Sequence, residues 1–208
     1  SAPTVKRLVM ELGGHAPQIV FADADLHRAV AIALDAKFAT SGQDCLAANR
    51  IYVEGPVYEE FARRFTEKAT ELKVGNGLDE ATDIGPLMHE RAIAKVEAQV
   101  KDARARGARL LTGGSRDAAG PRFYQPTVLA DVPESATIMR EETFGPVAAL
   151  TPFDTEDEVV TRANDSEYGL VAYLVTKDGG RAARLAAALE YGMVEAFTDV
   201  KYVCADLS

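Results

Sequence analysis

Short apolar runs alternate along this chain with segments whose apolar residues recur at helical spacing, and glycine-rich turns separate the two. Strands are expected at residues 5–12, 17–21, 50–53, 108–112, 124–130, 144–153 and 170–176, with Pro126 interrupting the fifth near its start. Helices are expected after an Asp23 or Asp25 cap, with Leu26, Ala29, Val30, Ala33, Leu34 and Phe38 inward, and then over 57–72, 89–106 and 181–190. Pro56 suits the first turn of the second helix, and the acids from Asp154 to Glu158 suit the positive end of another. Such alternation predicts an α/β fold, layered, with a largely parallel sheet flanked by helices. Gly75-Asn76-Gly77 reads as a loop, because no glycine-rich phosphate cradle follows a strand anywhere.

Cys45, in Ser41-Gly42-Gln43-Asp44-Cys45, is one of two cysteines, and Ala47 and Ala48 beyond it leave room near the sulfur. The commoner fate of such a thiol is burial as a small apolar group. Reactivity requires the thiolate, hence a base or a positive field nearby. Glu11, followed by Leu12-Gly13-Gly14, is a candidate base, since glycines permit close backbone approach. A strand, a helix and a turn between the two positions can bring them together. Cys45 and Cys204 make no disulfide framework, which favours a reducing compartment. His15, His27 and His89 are scattered over different elements, so no catalytic metal is expected.

The net charge of −9 on 208 residues argues against a nucleic-acid surface. No apolar run approaches the ~20 residues that span a bilayer, so no membrane partner is expected. A start without Met or signal-peptide character leads to the expectation of a processed or excised cytoplasmic chain.

Glu11-Leu12-Gly13-Gly14 followed by Gly42-Gln43-Asp44-Cys45 resembles the two signature motifs of the aldehyde dehydrogenase superfamily. The resemblance implies Glu11 as general base and Cys45 as the nucleophile that attacks an aldehyde. Arg140-Glu141-Glu142-Thr143-Phe144-Gly145-Pro146 resembles a third family segment. There Glu142 would hold the nicotinamide ribose hydroxyls of NAD or NADP, and Phe144 would pack beside the ring. Asn164 through Leu170 also resembles the family, with a structural role favoured for its asparagine and glycine. Glu11 through Pro17, Ala48 through Val53 and Lys201-Tyr202-Val203-Cys204 are most similar to the succinate-semialdehyde dehydrogenase branch.

The likeness covers nearly the whole chain but only part of a full-length family member. It implies a catalytic domain over 1–193 and a carboxy-terminal strand segment, 194–208, joined after an apparent deletion; engineered excision is the simpler explanation. The region implied to be missing carries most of the dinucleotide site and an oxyanion-hole asparagine, so the isolated chain is expected to bind the cofactor poorly. A homo-oligomer is implied for the full-length enzyme. Two other readings stand beside this one: a cofactor-independent thiol hydrolase using Cys45 and Glu11, and an interaction module that pairs residues 200–203 with a partner sheet.

Overall fold

A computed structural model describes residues 10–198 and the backbone of Tyr202–Asp206. Eight strands form one sheet in the order β3-β4-β5-β2-β1-β6-β7-β8. They are β1 (Ala16–Val20), β2 (Ala48–Glu54), β3 (Arg109–Thr112), β4 (Thr127–Ala130), β5 (Val147–Phe153), β6 (Val171–Val175), β7 (Met193–Phe197) and β8 (Tyr202–Asp206). Pairing is parallel from β4 through β7, and antiparallel at the two ends, β3 with β4 and β7 with β8. The expected layered, largely parallel α/β architecture is therefore present.

Helices α1 (Leu26–Phe38) and α2 (Gly55–Glu71) cover one face of the sheet, packing Ala33, Phe61 and Phe65 on Val20, Ile51 and Leu150. Helices α3 (Glu90–Ala105), α4 (Glu156–Asn164) and α5 (Gly179–Ala188) belong to the opposite core, with Ile93, Val159 and Leu185 beside Ile19, Tyr52 and Leu174. Neighbours such as Ile19 and Val20, or Ile51 and Tyr52, divide between the two cores because successive strand side chains point to opposite faces. Both faces being covered explains why the central strands are continuous apolar runs.

The helix starts follow local chemistry. Asp25 caps α1 by accepting the His27 and Arg28 N–H groups, which holds its carboxyl below the usual range. Asp178 caps α5 in the same way, and Thr155 caps α4. The acids Glu156, Asp157 and Glu158 occupy the first turn of α4.

Several boundaries differ from expectation. The strand expected at 5–12 falls partly outside the described residues, and its described part is irregular up to β1. Strands β4 and β5 start three residues later than their apolar runs, because Pro126 and the Gly145-Pro146 bend lie in irregular chain ahead of the ladders. Near the carboxy end, β7 spans position 194 and continues the parallel sheet from β6, and β8 returns beside it. Val200 and Lys201, at the start of the proposed partner-pairing segment, lie outside the described residues. Among the described residues no helix is long and apolar enough to cross a membrane.

Candidate active site

Four loops meet where they lead into four neighbouring parallel strands. Glu11–Gly14 precedes β1, Gln43–Cys45 precedes β2, Glu142–Phe144 precedes β5, and Tyr168–Leu170 precedes β6. The loops therefore converge at the amino ends of β5-β2-β1-β6. Open α/β sheets more often place ligands beyond the carboxyl ends of their strands.

Glycine contacts fasten these loops to one another. A Cβ built on Gly14 would stand 1.8 Å from the Cys45 carbonyl oxygen, so the backbone at Gly14 lies directly on the cysteine loop. The Gly14 N–H donates to Glu142 Oε1 at 2.8 Å, which ties the first motif to the third. Gly42, at φ +69°, lies against Gly145, whose carbonyl oxygen would be 2.3 Å from an added Cβ. Each approach requires a residue with no side chain.

The turn that presents Cys45 is strained. Thr40, Ser41 and Gly42 all have positive φ, at 54°, 60° and 69°. For threonine and serine this left-handed conformation costs about 1 kcal/mol or more apiece. Contacts from elsewhere offset it: Ser41 Oγ accepts the Gly85 N–H at 2.8 Å, while Gln43 donates to the Pro86 carbonyl and accepts the Met88 N–H. Phe144 is also left-handed, at φ 51°. Retained strain of this kind clusters at functional sites.

Cys45 is a free, half-buried thiol facing a cleft of ≈ 690 Å³, lined also by Met10, Glu11, Leu12, Gly13, Leu46 and residues 167–170. Partial burial, then the Asp44 carboxylate beside it and, more weakly, Glu11 push the thiol above its ordinary value. The sulfur therefore has acids for neighbours. Glu142 and Phe144 line a second pocket of ≈ 390 Å³ with Gln43, Met88, Lys95 and Thr143. Glu142 thus borders both the Gly14 turn and this second space.

Of the four residues singled out from the sequence, Cys45 and Glu11 line the first space and Glu142 and Phe144 the second, and the Gly14–Glu142 hydrogen bond links the two linings. Tyr168 and Leu170 line the cleft as well, a role the turn chemistry of their segment does not disclose. Asn164 is a structural residue: it accepts the Glu190 N–H and donates to the Ala188 carbonyl, joining α4 to the end of α5. Lys37 and Asn49 are hydrogen-bonded to each other at 2.8 Å; Asn49 falls in the family-like string from Ala48 to Val53, whereas no motif marks Lys37. The sequence signal for Lys37 is its register with Val30 and Ala33 on the inward stripe of α1. Among the described residues no group of three His, Cys, Asp or Glu side chains is placed to hold a metal ion.

The sequence matches the aldehyde dehydrogenase family over residues 1–203. It is 48% identical over 194 residues to the succinate semialdehyde dehydrogenase of Acinetobacter baylyi, covering 93% of this chain and 40% of that protein. It is 49% identical over 193 residues to the 3-sulfolactaldehyde dehydrogenase of Pseudomonas putida, with 93% of this chain and 40% of the relative covered. The crystal structure of succinate-semialdehyde dehydrogenase from Burkholderia pseudomallei superposes with a TM-score of 0.92 at 43% identity, covering 99% of this chain and 49% of that one. The chain spans about two fifths of the length of the curated relatives it matches. Motifs, strand order and these likenesses agree that the chain belongs to the aldehyde dehydrogenase family.

Proposed function

We propose that this chain carries the catalytic half of an NAD- or NADP-dependent aldehyde dehydrogenase, with Cys45 as nucleophile and Glu11 as general base. The observation that carries the reading is the packing of Gly14 on the Cys45 backbone, which brings the Glu11 segment and the thiol to one cleft. Residues 1–193 form the catalytic domain in this reading, and 194–208 its carboxy-terminal strand segment. Succinate semialdehyde is the proposed substrate, supported by the name of a relative 48% identical to this chain; a relative 49% identical has another aldehyde in its name.

The chemistry follows from the groups present. Cys45 Sγ, once deprotonated, adds to the aldehyde carbon and forms a thiohemiacetal whose oxyanion the Cys45 backbone N–H helps to hold. With acids beside the thiol, proton removal needs a base, and Glu11 is the carboxylate on the same cleft. After oxidation of the thiohemiacetal to a thioester, Glu11 takes a proton from water. The resulting hydroxide adds to the thioester carbon, the C–S bond breaks, and a carboxylic acid leaves with the thiolate restored.

The residues fit a nicotinamide cofactor at Glu142 and Phe144. Gly13 leaves open the space beside Glu142 Oε2, where a Cβ would stand 3.1 Å away, while Oε1 is held by Gly14. A carboxylate fixed at one oxygen and open at the other suits a ribose hydroxyl donor. Bound there, the cofactor supplies the two-electron acceptor for the oxidation.

An acyl probe tests the base and nucleophile without cofactor. With p-nitrophenyl acetate, Cys45 takes the acetyl group as p-nitrophenolate leaves, and water releases acetate. The account predicts a burst that Cys45→Ser abolishes. Glu11→Gln slows the burst and slows acetate release by roughly 10²-fold. Normal release by the Glu11→Gln chain would remove Glu11 from the role of base.

A further inference from the structure

Lys37 is fully buried on the face of α1 that otherwise carries Ala29, Val30, Ala33 and Phe38. An ammonium there loses its hydration, so hydrogen bonds and an opposite charge must replace the water. An apolar side chain would fill the same space without that requirement. The contacts of Lys37 lead, step by step, to the reaction centre. Its Nζ donates to Asn49 Oδ1 at 2.8 Å, and Asn49 Nδ2 donates to the Gly14 carbonyl at 3.4 Å. The Gly14 N–H donates in turn to Glu142 Oε1 at 2.8 Å. Glu142 is the carboxylate whose charge acts back on Lys37, which closes the circuit. Gly14 therefore has both its backbone carbonyl and its N–H held by this circuit, while its α-carbon rests on Cys45.

We propose that Lys37 is a positioning residue that, through Asn49 and Glu142, fixes the Gly13–Gly14 turn between Glu11 and Cys45. The inference deepens the proposed function and rests on its assignment of Cys45, Glu11 and Glu142. Lys37 touches no reacting atom. Its charge attracts the Glu142 carboxylate through space, and its hydrogen bond orients the Asn49 carboxamide that reaches Gly14. Buried networks of this kind are strongly coupled, so loosening one member moves the others.

The circuit is also sensitive to pH. Burial brings the Lys37 amine down to about 7, with Glu142 opposing the fall. The titratable groups that act on it or feel it are Glu142, ahead of β5, and His15, ahead of β1; His15 stays neutral until about pH 3. As pH rises through about 7 the amine loses its charge, the attraction to Glu142 ends and the turn loosens.

Nuclear magnetic resonance of the whole chain, labelled with 13C at lysine and with 15N, reads this directly. One lysine ε-carbon, absent from Lys37→Met, is expected to titrate near 7, and the Gly14 amide is expected to follow with the same midpoint. Asn49→Asp places a carboxylate against the ammonium and should raise both midpoints by about one pH unit or more. Lys37→Met should abolish the Gly14 titration. It should also change the rate of Cys45 alkylation by iodoacetamide by roughly threefold or more, on the acid side of the midpoint. A Gly14 amide indifferent to the Lys37 titration would overturn the proposal, as would midpoints unmoved in Asn49→Asp. If Lys37→Met does not fold, the Asn49→Asp shift alone decides. Glu11→Gln should leave both midpoints in place, so a failed base assignment and a failed Lys37 circuit give different results.

Discussion

Gly14 has no room for a methyl group, because the Cys45 carbonyl oxygen occupies the place where one would go. Gly14→Ala must move either the Glu11 turn or the cysteine loop. The expected cost is about 2–4 kcal/mol of folding stability, together with an altered Cys45 alkylation rate. Urea denaturation and iodoacetamide kinetics on the same variant check both; an unchanged midpoint and rate would show that the two loops do not depend on this contact. Cys45 and Glu11 were legible in the sequence because both belong to dense motifs with glycine beside them. The electrostatics were not. A reactive cysteine suggests a positive field, whereas Asp44, adjacent in sequence, proves to be a carboxylate that raises the thiol. Lys37 was hidden for a related reason: a single lysine on an apolar stripe gives no sign of whether it turns out to solvent or stays inside.

Among the elements, the strands and helices were readable from periodicity, and their order carried the site with it. Each motif ends a few residues ahead of a strand, so recognising β1, β2, β5 and β6 placed four loops along one rim of the sheet. The adjacency of β1 with both β2 and β6 was not readable, since strand order depends on crossovers that no local pattern records. Arg50, in β2, shows what holds these elements in place. It is fully buried and donates to the carbonyls of His15, Arg162 and Ala163 and to the Tyr191 hydroxyl. Two of those carbonyls belong to the last turn of α4, where a cation also meets the negative end of the helix. Arg50→Met keeps most of the volume but leaves four acceptors without this donor, and should cost about 3 kcal/mol or more. A urea midpoint within error of the parent chain would contradict that role.

For the molecule as a whole, two buried bases make stability depend on pH in the same direction. Burial, then the nearby Arg50 charge, lowers the His15 imidazole from 6.5 to about 3. Burial lowers Lys37 from 10.5 to about 7. Both folded-state values lie below the unfolded ones, so the unfolded chain binds the extra proton. The His15 contribution is therefore complete above 6.5 and is lost as pH falls toward 3, while that of Lys37 is lost between 10.5 and 7. Each amounts to at most about 5 kcal/mol. Urea midpoints measured against pH should show His15→Gln flattening the acid limb and Lys37→Met the alkaline one; slopes equal to the parent's would contradict the burial of charge-free bases.

At the same scale, the chain supplies a sheet that gathers Cys45, Glu11 and Glu142 on one rim, within about two fifths of the length of its relatives. The central claim is that Cys45 and Glu11 share one cleft as a working pair. Its most direct test is the rate of Cys45 alkylation by iodoacetamide against pH, in the parent chain and in Glu11→Gln. The account predicts a parent thiol above its ordinary value and a midpoint that moves down in Glu11→Gln, because a neighbouring negative charge has been removed. Coincident profiles would place Glu11 out of electrical contact with the sulfur and contradict the pairing.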